Sequence, residues 1–126
     1  MDKKLKPAVW LGSTREDLSD MPKAVRADIG FALFAAQSGD KHHKATPLRG
    51  FGGASVLEIV SDYDTDTFRG VYTVRFAGAI YVLHVFQKKS THVIATSPRD
   101  IALIRQRLGQ AQAHYAAAQA AKKETP

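Results

Sequence analysis

Residues Ala79 to Ser90 read AIYVLHVFQKKS, and the fold turns on them. The run opens with Ala79, Ile80, Tyr81, Val82 and Leu83, admits one histidine at His84, and leaves through Phe86 into Lys88 and Lys89. A short run rich in β-branched and aromatic residues, apolar at both odd and even positions, reads as a central strand covered on both faces. Regular alternation would put Ile80, Val82, His84, Phe86 and Lys88 on one face and Tyr81, Leu83, Val85 and Gln87 on the other. A lone histidine in such a strand is a hydrogen-bonded core residue unless basic groups stand near it. The preceding strand supplies them.

That strand is Phe68 to Phe76 (FRGVYTVRF), joined to the central one through Ala77-Gly78. Alternation places Arg69, Val71, Thr73 and Arg75 on one face and Phe68, Tyr72, Val74 and Phe76 on the other. Before it, Ser55 to Val60 (SVLEIV) makes a strand whose only charge is Glu58, and an acidic loop from Ser61 to Thr67 (SDYDTDT) connects the two. Three strands with local connections form an antiparallel meander. Arg69 can pair with Glu58 across that sheet, bind phosphate, or do both.

Upstream, Pro7 to Leu11 (PAVWL) is a first strand ended by Gly12. Ser13-Thr14-Arg15-Glu16 matches a capping box, which predicts a short helix to about Asp20. Pro22 opens a second helix reaching Gln37, where Val25, Ile29, Ala32, Leu33 and Ala36 recur at helical spacing. Phe31 and Phe34 widen that stripe and are expected to pack under the sheet. Asp40 to Gly53 (DKHHKATPLRGFGG) reads as a basic loop. Its adjacent His42 and His43 are expected to point apart, which disfavours a metal site. Lys41, Lys44 and Arg49 could reach a phosphate backbone from this loop.

Downstream, Ser97, Pro98 and Asp100 form a helix start. Ile101, Ile104, Leu108, Ala111 and Tyr115 then recur at steps of three and four residues. Beyond Tyr115 the chain turns alanine-rich and charged, so a domain over residues 1–115 and a frayed tail over 116–126 are expected. The order β, α, α, β, β, β, α describes an α+β domain.

Composition narrows the chemistry. The 126 residues suit one domain with a modest core. The chain holds no cysteine, which excludes disulfides, thiol nucleophiles and thiolate metal sites. No apolar stretch is long enough to span a bilayer, and MDKKLKPAVW has no signal-like core, so a cytoplasmic location is expected. Lys plus Arg exceed Asp plus Glu by 18 to 12, giving a charge of +6 and a pI near 9.7. Such an excess favours an anionic partner, nucleic acid above all.

Three stretches resemble the RelE/ParE superfamily of toxin–antitoxin toxins, in particular its HigB-like, phage-related branch. They are PLRGFGG before Val56-Leu57-Glu58-Ile59, FRGVYTV around Arg69 and Tyr72, and YVLHVFQKKS followed by TSPRDIALIRQRL. The resemblance covers roughly Pro7 to Tyr115. It implies a RelE-like antiparallel sheet with two N-terminal helices and a C-terminal helix. It also implies a metal-independent, cofactor-free mRNA endoribonuclease that acts in association with the ribosome and is neutralised by an antitoxin with a helix-turn-helix domain.

Cleavage without metal requires an acid, a base and cations facing the phosphorane. The catalytic candidates are His84 as acid or base, with Arg69, Arg75, Lys88 and Lys89 as cations. Arg49, Lys41, Lys44 and His92 are candidate RNA contacts, and His92 could carry a second proton. Two other readings are a ParE-like gyrase inhibitor without catalysis and a phage-related nucleic-acid-binding protein without cleavage.

Overall fold

The computed structural model describes residues 4–88 and 96–124. Elements follow in the order β1 (Ala8–Trp10), α1 (Thr14–Ser19), α2 (Lys23–Gln37), β2 (Thr46–Pro47), β3 (Val56–Tyr63), β4 (Asp66–Thr73), β5 (Ile80–Lys88) and α3 (Pro98–Glu124). The strands form one sheet in the order β1-β5-β4-β3-β2. Its β3-β4-β5 meander is antiparallel, and β1 runs parallel to β5. This is the expected α+β architecture, with two N-terminal helices and a C-terminal helix, consistent with a RelE-like fold. The short β2 falls inside the basic loop and pairs Thr46 and Pro47 with Glu58 and Leu57.

Helices cover both faces of the sheet. On one, Val25, Ile29, Ala32, Leu33 and Ala36 of α2 pack against Leu57, Ile59, Phe68, Tyr72, Ile80, Val82 and Val85. On the other, Ile104 and Ala111 of α3 pack with Leu48, Phe51, Val56, Val71, Tyr81 and Leu83. Ile80, Val82 and Leu83 are therefore all buried at consecutive or near-consecutive positions of β5. Each such aliphatic side chain contributes roughly 1.5–3 kcal/mol through its removal from water.

The alternation expected along β5 does not hold. Val71 of β4 faces His84 and the next residue, Tyr72, faces Val82, so Leu83 is an extra residue in the ladder. A bulge of this kind leaves one residue unpaired and reverses the side-chain parity beyond it. Ile80 and Val82 consequently lie on the α2 face, whereas His84, Phe86 and Lys88 are the partners of Val71, Arg69 and Thr67 on the α3 face.

Several local expectations also change. Ser13 occupies the N-cap of α1 but closes no capping box; its hydroxyl donates instead to Asp17 Oδ2 at 2.7 Å. The acidic loop is mostly strand, because β3 and β4 pair as far as Tyr63 and Asp66. Only Asp64 and Thr65 turn the chain, with Asp64 at φ 59°. Residues 116–124, expected to fray, continue the helix to Glu124. Phe31 and Phe34 do not pack under the sheet and are 64% and 54% exposed. The positions that do pack lie one step round the helix, at Ile29, Ala32, Leu33 and Ala36. No described helix is long and apolar enough to cross a membrane.

At Gly70 the sheet backbone lies close under Ile29 of α2. A Cβ there would lie 3.1 Å from Cγ2 of Ile29, which is itself 1% exposed. Replacement by Val should destabilise the domain by about 1–3 kcal/mol through overpacking. Urea unfolding of Gly70→Val beside the wild type checks this, the expected result being a lower midpoint at unchanged slope.

Candidate active site

The α3 face carries Glu58, Arg69 and Lys88 of the meander. Val60 lies opposite Arg69 and Val71 opposite Glu58 in the β3-β4 ladder, so Arg69 and Glu58 are diagonal neighbours on one face. Arg69 Nη1 donates to Glu58 Oε2 at 3.0 Å and to Thr96 Oγ1 at 3.1 Å. The two ionic side chains are only 7% and 16% exposed. Thr96 immediately precedes α3, so one guanidinium joins β3, β4 and the entry to the helix.

Above this pair opens a cleft of about 480 Å³ with Arg69 and Glu58 in its floor, Leu48 and Ile101 in its walls, and Arg49 and Thr96 beside them. Lys88 shares the Arg69 face by register. Burial and the neighbouring Arg69 charge hold the Lys88 ammonium below its ordinary pKa, while Glu58 pulls the other way. Charges from β3, β4 and β5 are thus gathered at one point, made possible by the bulge at Leu83. Lys89 and His92 lie outside the described residues.

Arg75 is not part of this group. Strand β4 ends two residues earlier at Thr73, whose hydroxyl donates to Ser55 O at 2.8 Å and accepts from the Arg75 amide at 3.1 Å. The chain therefore leaves the sheet before Arg75, whose Nε donates to Ser55 Oγ at 3.2 Å in an exposed position. Arg69 and Thr73 alone are separated by roughly 13 Å of strand. Lys41 and Lys44 are exposed in the loop before β2 and do not line the cleft. The His42 and His43 rings do not diverge but stack, with centroids 4.5 Å apart.

His84 does not line this cleft but a second hollow, shared with Asp17, Met21, Phe68 and Phe86. Its Nε2 is 2.8 Å from Asp100 Oδ1, and its ring stacks on Phe86 with centroids 4.2 Å apart. Asp100 Oδ2 accepts from Ser97 Oγ at 2.7 Å, so the histidine is moored to the cap of α3. A neutral ring donating Nε2–H to Asp100 keeps its lone pair on Nδ1. That atom is buried and has no hydrogen-bond partner among the described residues. Burial holds the His84 pKa below its ordinary value despite the opposing hydrogen bond and charge of Asp100. Burial also works against ionisation of Asp100, but Ser97 and His84 outweigh it and hold that carboxyl below its usual range.

The Asp100 partnership was hidden in the sequence because its spacing from Ser97 already accounts for a helix cap. Arg107, on the same helix, donates from Nη1 to the carbonyl of Leu83 at 2.9 Å. Its guanidinium fills the space above Gly12, where a Cβ would fall 2.5 Å from Nη2. Tyr72, by contrast, is buried against α2, where desolvation pushes its hydroxyl up to about 12. It lies on the face of the sheet away from the cleft.

Residues 16–109 match the family model of phage-derived protein Gp49-like (DUF891). The chain belongs to that family. The Gp49-like proteins fall within the RelE and toxin–antitoxin group, and the matched span contains Arg49, Glu58, Arg69, Lys88 and the His84–Asp100 pair. No curated protein and no solved structure matches the chain.

The depressed pKa of His84 gives this Gp49-like domain a defined acid response. The unfolded chain takes up a proton near the ordinary value of 6.5, while the folded chain does so only at lower pH. Stability is therefore full above that value and falls as pH drops below it. In His84→Gln, whose amide nitrogen can still face Asp100, this component should disappear. Thermal unfolding of both proteins across that window measures the difference; Asp100 contributes separately, below its ordinary value of 3.8.

Proposed function

We propose that this Gp49-like protein is the toxin of a toxin–antitoxin pair, a HigB-like endoribonuclease that cuts messenger RNA on the ribosome without a metal. The observation that carries this reading is the buried Arg69 guanidinium in the floor of an open cleft, beside Glu58 and Lys88. Desolvating the Arg69–Glu58 pair is unfavourable for a structural core. It is useful where a phosphate must be met by fixed positive charge.

The positions of these groups support the following chemistry. Glu58 takes the proton of a ribose 2′-hydroxyl as that oxygen attacks the adjacent phosphorus. Arg69 faces the charge that develops on the phosphorane oxygens. Lys88, its ammonium already destabilised by burial and by Arg69, gives a proton to the departing 5′-oxygen. The products are a 2′,3′-cyclic phosphate and a 5′-hydroxyl end. Arg49 at the rim contacts a flanking phosphate. His84 acts through Asp100 as a positioning residue, fixing the start of α3 and with it the Thr96 hydroxyl bonded to Arg69. The natural inhibitor is a small antitoxin with a helix-turn-helix domain, whose acidic segment covers the cleft and is drawn to it electrostatically.

Cleavage of messenger RNA by the purified chain should persist in EDTA, with 2′,3′-cyclic phosphate at the new ends. Glu58→Gln and Lys88→Ala, each confirmed folded by circular dichroism, should slow single-turnover cleavage by about 10²–10⁴-fold. Arg49→Ala, an exposed change, should weaken RNA binding and reduce the slope of log affinity against log salt by about 0.7. A strict requirement for added magnesium or zinc would overturn the mechanism. Growth arrest with intact RNA and gyrase-linked DNA damage would point instead to a ParE-like inhibitor.

A further inference from the structure

On the face of the molecule opposite the cleft, the outer side of α2 presents Ala27, Gly30, Phe31 and Phe34 around a shallow apolar hollow of about 380 Å³. These positions are three, four and seven residues apart and so form one stripe along the helix. Two phenylalanines more than half exposed on one helix face are unusual for a surface with no partner. Gly30 adds an independent observation. It sits inside α2, where glycine is less favourable than alanine, yet a Cβ there would meet nothing within 4 Å. The chain's own packing gives no reason for the missing side chain. A second backbone approaching from outside does.

We infer that α2 pairs antiparallel with α2 of a second copy of this chain. Rotation about a two-fold axis passing between Gly30 and Phe31 sets each Phe31 over the other copy's Gly30 and each Phe34 over the other's Ala27. Every projection then meets a small residue, which is the self-complementarity an isologous contact requires. Charge follows the same arrangement. The first turn of α2 holds Lys23 and no acidic residue, an unfavourable placement against the positive end of the helix dipole. The antiparallel pairing brings Lys23 beside the C-terminal end of the other α2, next to exposed Asp40. The clefts stay open on the two outer faces of the dimer. One helix pair is a small interface, so the dimer is weak and concentration-dependent.

Sedimentation velocity of the full chain across the micromolar range tests this with four variants. The wild type should pass from monomer to dimer with rising concentration. Phe31→Ser/Phe34→Ser should raise the dissociation constant at least tenfold. Gly30→Leu should do the same while leaving the thermal midpoint equal or higher, which separates lost pairing from lost folding. Lys23→Glu should weaken the dimer, and Lys23→Glu/Asp40→Lys should restore it. A wild type that remains monomeric throughout, or a dimer indifferent to Gly30→Leu, would overturn the inference. So would a patch whose variants lose only binding to a cognate antitoxin.

Discussion

The central strand of this Gp49-like domain must be buried on both faces and still deliver charge to a cleft. Between Ile80 and Val85 every side chain is covered, by α2 on one side and α3 on the other. No ion can be held cheaply in that stretch, so the ionic residue of β5 lies at its exit. The extra residue at Leu83 reconciles these demands. Before it, β5 serves the α2 core with Ile80 and Val82; after it, the strand turns His84, Phe86 and Lys88 towards Arg69 and α3.

The cleft inherits its stiffness from that arrangement. Arg69 lies on a strand between two others, and its guanidinium is bonded both to Glu58 on β3 and to Thr96 before α3. Two of its anchors are thus a sheet and a helix start, neither of which shifts without disturbing packed neighbours. The His84–Asp100–Ser97 chain fixes that same helix start from the opposite side. A fixed set of donors around a phosphate needs little reorganisation as charge develops, which is the condition for electrostatic catalysis.

Much of the architecture was legible in the sequence because period and turn chemistry were clear. The two-sided apolar run of β5, the β3-β4-β5 meander and the Pro98 helix start all depend on local patterns. What could not be read there depends on events between elements. A bulge leaves no mark when the extra residue is as apolar as Leu83, so alternation alone assigns Ile80 and His84 to one face. Phe31 and Phe34 share the composition of core residues, and only the rotation of α2 on the sheet separates them from Ile29 and Leu33. Arg75 follows the alternation of Arg69, but the ladder stops at Thr73 before alternation reaches it. Glu58 was visible as the partner of Arg69, whereas the mooring of His84 on Asp100 required α3 to be docked.

The strut between Arg107 and the Leu83 carbonyl couples distant parts of the chain in heredity as well as in space. Its guanidinium occupies the volume over Gly12, a residue that also adopts φ 57°. Any side chain at position 12 would therefore displace the arginine and strip a bond from the bulge that orients His84. A shorter residue at 107 would release position 12 from half of that restriction, leaving only the backbone angle. Among Gp49-like relatives, loss of the glycine is accordingly expected to accompany loss of the arginine, ninety-five positions away in the chain.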